Sequence, residues 1–210
     1  KKHLSDENIT CDTCLDIGAN IGNHSLFFAD LFSKVISFEP NERPFKLLKF
    51  NSSLVENIQA FNLGLSTKTM ELPVKLRPLN SGSAKICDNE SPDTFFSVVS
   101  LDDFFKEKKE RDISFIKIDV EGHELMVLQG AKLTLEKHKP IVALEMHFKN
   151  DIKNNLDILE LLEKIGYSQA YILKNRLFGS SNYFFSDMPI SEFKNLPTRN
   201  YKMVLFQAPV

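Results

Sequence analysis

The run Leu15-Asp16-Ile17-Gly18-Ala19-Asn20-Ile21-Gly22 decides the fold. It reads as the end of a buried strand, a tight glycine turn and the start of a helix. Asp16 falls near the carboxyl end of that strand. Gly18 and Gly22 carry no Cβ, so the backbone can bend there and come close to a ligand. The helix expected from about Asn23 to Phe32 presents free N–H groups at its start, and these favour an anion.

The spacing restricts the ligand. A dinucleotide fingerprint asks for three glycines as G-x-G-x-x-G. Counted from Gly18, the second and third places hold Asn20 and Asn23, so a single glycine matches. A nicotinamide cofactor is disfavoured, and a nicotinamide-dependent oxidoreductase stands as the alternative. The G-x-x-x-G spacing, with an acid two residues before the first glycine, suits S-adenosylmethionine. Its carboxylate can meet the helix start, and its ammonium and sulfonium call for an acid such as Asp16. The second strand, Val35-Ile36-Ser37-Phe38-Glu39, ends in an acid 23 residues after Asp16 and is closed by Pro40-Asn41. A carboxylate at that distance can accept hydrogen bonds from both hydroxyls of a ribose. Pro40 has no N–H to give to a ladder and stops the strand.

With these two motifs and Ile116-Lys117-Ile118-Asp119-Val120-Glu121-Gly122-His123-Glu124, the chain resembles the FkbM family of S-adenosylmethionine-dependent methyltransferases. The likeness runs from about Cys14 to His147. It implies a class I methyltransferase, a Rossmann-like α/β fold. Its sheet would be mostly parallel, with seven strands ordered 3-2-1-4-5-7-6, the last antiparallel and helices on both faces. Family members methylate hydroxyls on glycans or secondary metabolites, so the resemblance implies a small-molecule or glycan hydroxyl as acceptor.

The bulk of the chain agrees with an ordinary globular domain. Its 210 residues suggest one domain over 1–210, with a polar lead-in over 1–12 and a β-insertion over 67–100. A net charge of −2 offers no basic footprint for nucleic acid. The run from Lys106 to Arg111 is broken by Glu107 and Glu110. No apolar run reaches the length of a membrane span. Three cysteines, too few for a disulfide framework, point to a reducing compartment and a cytoplasmic protein. Cys11 and Cys14 lack the second pair that a structural zinc site needs, and Cys14 reads as a buried strand residue. No metal site is expected.

Strands and helices alternate along the chain, which predicts a mostly parallel sheet. Strands are expected over about 13–17, 34–39, 58–63, 114–119, 140–146, 167–174 and 202–207. Helices are expected from Asn41, over 102–109, 124–137 and 152–165. The alternation of Met70, Leu72, Val74 and Leu76 marks a half-exposed strand of the insertion, and 95–99 a second. The stretch between 174 and 202 reads as irregular. Asp16, Glu39, Gly64 and Asp119 then all fall at strand ends, where ligands bind in such sheets.

The cofactor residues expected are Asp16, Gly18, Asn20, Gly22, Asn23, Glu39, Pro40, Gly64 and Asp119. Gly64 follows the third strand, where class I methyltransferases flank the adenine. Amine-methylating enzymes place Asn/Asp-Pro-Pro-aromatic after the fourth strand, whereas this chain has Asp119-Val120-Glu121-Gly122. That argues for a hydroxyl acceptor, which needs a base to take its proton. The candidates are His123, Glu121, Glu145 and His147. His123 starts a helix, and its ordinary pKa suits neutral pH. Glu145 and His147 lie two apart on one strand and share a face. Asp119, Glu145 and His147 could instead hold a divalent cation, though without compact ligand spacing. Acceptor contacts are expected from the polar Asn80–Ser83, with Ser81 and Ser83, and from the aromatics around Tyr183. Those aromatics would serve equally for packing or for a homo-oligomer contact. A nucleoside-binding module without turnover is the non-enzymatic alternative.

Overall fold

The computed structural model describes residues 11–76, 84–87, 91–108, 112–148, 151–175, 183–195 and 200–209. Ser81 and Ser83 lie outside them, as does most of the lead-in. In chain order the elements begin with β1 (Thr13–Ile17), α1 (Asn23–Ala29), β2 (Lys34–Phe38), α2 (Glu42–Ser52) and β3 (Ile58–Phe61). There follow β4 (Gly64–Leu65), β5 (Met70–Leu76), β6 (Ala84–Ile86), β7 (Thr94–Val99) and α3 (Leu101–Phe105). Next come β8 (Ile113–Ile118), α4 (Glu124–Gln129), α5 (Lys132–His138), β9 (Ile141–His147) and α6 (Ile152–Lys164). The last are β10 (Gln169–Asn175), β11 (Tyr183–Pro189), α7 (Ile190–Phe193) and β12 (Asn200–Gln207).

Eight strands form the main sheet in the order β3-β2-β1-β8-β9-β12-β10-β11. The first five run parallel, and β12 pairs antiparallel with both β9 and β10. Without β11, this is the expected 3-2-1-4-5-7-6 order. The added strand corrects one expectation: residues 183–189, read as irregular, pair antiparallel with β10 along its whole length. Aromatics and Pro189 obscured the period there. The strand order reverses between β1 and β8. In open α/β sheets such a point leaves a crevice at the carboxyl ends of the strands.

Side chains of one strand alternate between the two faces. Leu15, Ile17, Ile36 and Phe38 pack on one face with Ile116, Ile118, Val142 and Leu144. Cys14, Val35, Phe115 and Ala143 pack on the other, with Phe28 and Phe32. The rings of Phe28, Phe32 and Phe115 meet with centroids 5.5 to 6.1 Å apart. Burial on both faces explains why these strands read as largely apolar runs, broken by a few polar residues such as Asp16 and Lys117. Among the described residues no helix is long and apolar enough to cross a membrane.

The second sheet, in the order β4-β7-β5-β6, occupies the excursion between β3 and β8. β4 pairs parallel with β7, and β5 antiparallel with both β7 and β6.

Two helix boundaries carry information. At α2, Asn41 caps the helix by accepting from the Arg43 N–H at 3.2 Å, as its sequence position suggests. The single helix expected over 124–137 is instead two, α4 and α5, broken at Gly130. A Cβ at Gly130 would lie 1.9 Å from the Ser66 carbonyl oxygen, so the backbone of the β4–β5 connection presses on the helix there. The Asp102 carboxylate then caps α5, accepting from the N–H groups of Leu133 and Thr134 at 3.0 and 2.9 Å. Gly130→Ala is expected to destabilise the fold by about 2–4 kcal/mol, because a backbone carbonyl must move. Urea denaturation measures this, and a loss below about 0.5 kcal/mol would show that the contact yields easily.

Candidate active site

A cleft of about 900 Å³, counting the part open to solvent, lies at the carboxyl rim of β1, β2 and β8. The main sheet contributes Gly18, Asn20, Glu39, Pro40 and Asn41. The β8–α4 connection adds Asp119, Val120, Glu121 and His123. The opposite wall is apolar. It consists of Leu72 and Val74 of β5, Ile86 of β6, and Phe96 and Val98 of β7, with Gly64 and Leu65 at the junction. This wall is the part of the site that motif reading missed. Its signal was present as the period-two alternation of β5 and β7, but nothing local says what that face covers.

Glu39 is the best-defined polar group of the cleft. It sits one residue past β2 and is 5% exposed. Its Oε1 accepts from the Asn41 N–H at 2.8 Å and its Oε2 from the Asn20 N–H at 2.9 Å. A carboxylate offers about four lone-pair positions, so two remain for a ligand's donors. Burial pushes the carboxyl up to about 7, against the pull of the Asn41 and Asn20 N–H groups.

Asp16 departs from expectation. It is 0% exposed and does not line the cleft. Its Oδ1 pairs with Lys117 Nζ at 3.0 Å, and its Oδ2 accepts from Ser25 Oγ at 2.6 Å. Strand alternation turns it under α1, away from the rim. The two glycines bend the backbone as expected, at φ +75° and +91°. A Cβ at Gly18 would lie 1.9 Å from the Asp119 carbonyl oxygen, and one at Gly22 would lie 2.7 Å from Leu48 Cδ1, so their missing side chains also make room for neighbouring protein atoms. Gly18 still lines the cleft with its backbone, whereas Gly22 and Asn23 do not line it.

The β8–α4 connection is strained. Glu121 is a non-glycine residue at φ +54°, a conformation that persists where surrounding contacts enforce it. The buried Glu124 carboxylate supplies them, accepting from the N–H groups of Val120 and Gly122 at 3.4 and 3.1 Å. His123 Nε2 lies 2.9 Å from Ser66 Oγ, and burial holds its pKa below the ordinary value. Both Glu121 and His123 therefore reach the cleft. Glu145 does not line it, because alternation along β9 turns it to the face of Ile141 and Ala143. His147 pairs through its backbone with Asn200, and Tyr183 with Asn175. Among the described residues no three His, Cys, Asp or Glu side chains group as metal ligands.

Comparison with known proteins agrees with this architecture. Hexuronic acid methyltransferase AglP of Haloferax volcanii is 28% identical over 174 residues, 82% of this chain and 70% of its own length. The crystal structure of methyltransferase FkbM from Methylobacillus flagellatus superposes with a TM-score of 0.57 at 19% identity. That match covers 93% of this chain and 43% of the other, so the chain spans less than half of that protein. A Streptococcus mutans protein solved in complex with SAH matches over 99% of this chain and 97% of its own, with TM-score 0.50 and 11% identity. At these identities the two structures speak for the fold alone. A family model described as the methyltransferase FkbM domain matches residues 16–168, from the buried Asp16 through the cleft to the start of β10. The chain belongs to the FkbM family of methyltransferases.

Proposed function

We propose that this chain methylates a hydroxyl group of a sugar or glycan, with S-adenosylmethionine as donor. The observation that carries the reading is Glu39. Its carboxylate is oriented by two main-chain N–H groups, stands at the carboxyl end of β2 beside the switch point of the sheet, and keeps acceptor capacity for two ribose hydroxyls. The apolar wall of β5, β6 and β7 suits the faces of an adenine, and Gly64 with Leu65 lies beside it. Asp119 offers a carboxylate for the donor's ammonium. When bound, the donor supplies a methyl carbon already activated by its positive sulfur. A nicotinamide reading has lost its ground in the family membership. AglP is a hexuronic acid methyltransferase, which supports a sugar as the acceptor.

A hydroxyl acceptor must lose its proton, and His123 is the group for that step. Burial keeps the imidazole neutral at pH 7, the state that can accept a proton. In the tautomer whose Nε2–H donates to Ser66 Oγ, the ring is oriented and Nδ1 is the nitrogen that takes the proton. Glu121 is the second candidate, held toward the cleft by its left-handed backbone. His123→Ala is expected to lower kcat by about 10²–10⁴-fold and to leave the affinity for S-adenosylhomocysteine within about threefold. Wild-type turnover in that variant would move the base to Glu121. The reading as a whole is tested by mass spectrometry of the purified protein and by calorimetry with S-adenosylhomocysteine. Binding of S-adenosylhomocysteine is the expected result, and its absence overturns the donor. A protein that binds the donor yet releases no S-adenosylhomocysteine with any sugar acceptor would be a binding module instead.

A further inference from the structure

We propose that Lys117 is a positioning residue for the amino-acid end of the donor. It fixes the Gly18 carbonyl and the Asp119 carboxylate at the floor of the cleft, and Asp16 is its buried counter-ion. The proposal rests on the donor reading above.

Lys117 stands inside β8, a strand buried at every position. In register it lies opposite Asp16 of β1, so both side chains leave the sheet on the same face. It is 3% exposed. A lysine ammonium has three protons to place and no acceptor of its own, and burial forces each to find a partner. Nζ donates to Asp16 Oδ1 at 3.0 Å and to the Gly18 carbonyl oxygen at 3.3 Å, and lies in ion-pair range of Asp119 Oδ2 at 3.6 Å. The other oxygen of Asp16 takes Ser25 Oγ, which in turn accepts from Ser37 Oγ at 2.9 Å. Asp16 is thereby enclosed by protein.

The two remaining partners are different. Gly18 and Asp119 both line the cleft, and the Asp119 side chain is 44% exposed. They come from separate loops, one after β1 and one after β8. The Asp119 N–H donates to the Ile17 carbonyl at 3.0 Å, so the backbones of those loops are joined there. Lys117 joins the loops a second time, from below, through a charge. A buried ion pair adds little net stability over packed apolar side chains of the same volume. Its effect is therefore to be found in what it orients. Glu39, which would hold the nucleoside, shares no hydrogen bond or ion pair with Lys117, and the charges of Asp16 and Lys117 act on its carboxyl in opposite directions.

That separation supplies the test. Calorimetry is run with two probes, S-adenosylhomocysteine and adenosine, which lacks the amino-acid end. Lys117→Met is expected to weaken S-adenosylhomocysteine by about 10–100-fold, the worth of a hydrogen bond to a charged group, and adenosine by less than about threefold. The pair Asp16→Asn with Lys117→Met removes both buried charges, so an unpaired carboxylate does not compromise its folding. It is expected to show the same selective loss. Equal weakening of both probes would mean a merely structural role and would overturn the proposal, as would full S-adenosylhomocysteine affinity in the double variant. Wild-type protein that binds neither probe would overturn the donor reading itself, and this proposal with it.

Discussion

Glu39→Ala is expected to weaken S-adenosylhomocysteine by about 10²–10⁴-fold, because two hydrogen bonds to a charged acceptor are lost together. The fold should survive. The Asn20 and Asn41 N–H groups that Glu39 holds lie beside an open cleft, where water can replace it. Calorimetry beside a thermal melt separates the two effects, and unchanged affinity in the variant would remove Glu39 from the site.

The same residue imposes a pH signature. Its carboxyl is raised by burial to about 7, so the folded protein holds that proton more tightly than the unfolded chain does. The contribution of Glu39 to stability is therefore fully present below the usual carboxylate range. It is lost as pH rises through about 7. Relative to Glu39→Gln, the wild-type protein should lose on the order of 3 kcal/mol across that window, with the variant favoured at the alkaline end. Ligand binding runs the other way. A ribose needs the ionised carboxylate as acceptor, so affinity should fall by up to about tenfold per pH unit below 7, and not in the variant. A flat stability difference between pH 4 and 8 would show that Glu39 is better solvated than its burial implies.

Gly18→Ala is expected to destabilise the fold more than Gly130→Ala, because a positive φ adds to a backbone clash of the same size. The residue sits at φ +75°, where a side chain costs about 1–2 kcal/mol. Its Cβ would also meet the Asp119 carbonyl oxygen at 1.9 Å and that carbonyl's carbon at 2.8 Å, both backbone atoms. Forced repacking adds about 1–3 kcal/mol. A total on the order of 4 kcal/mol takes a large share of the 5–15 kcal/mol that holds a typical domain together. For a chain of this size it lowers the melting temperature by roughly 10 °C. A variant melting within about 2 °C of wild type would mean that the two loops can part without cost. Ligand affinity should fall as well, because those loops carry Asp119 and the Gly18 carbonyl.

Much of this was legible in the residues alone. Largely apolar runs alternating with helical segments imply a parallel sheet buried on both faces. The glycine turn and the acid ending the second strand mark its rim. Asn41 before α2 and Gly166 after α6 set their boundaries through local backbone chemistry. These features are decided within a few residues of sequence, so a sequence can display them. Three others are decided between segments distant in the chain. Gly18 is a glycine because Asp119, a hundred residues on, presses against it. Asp16 is an acid because Lys117 lies beside it in register, though a lysine within Ile113–Ile118 was itself a sign that a buried partner existed. The apolar face of the second sheet closes the cleft because β4 hinges that sheet onto the end of β3. Local propensity determined the elements, and only the packing of one strand end against another decided which of the marked residues face the ligand and which hold the frame behind it.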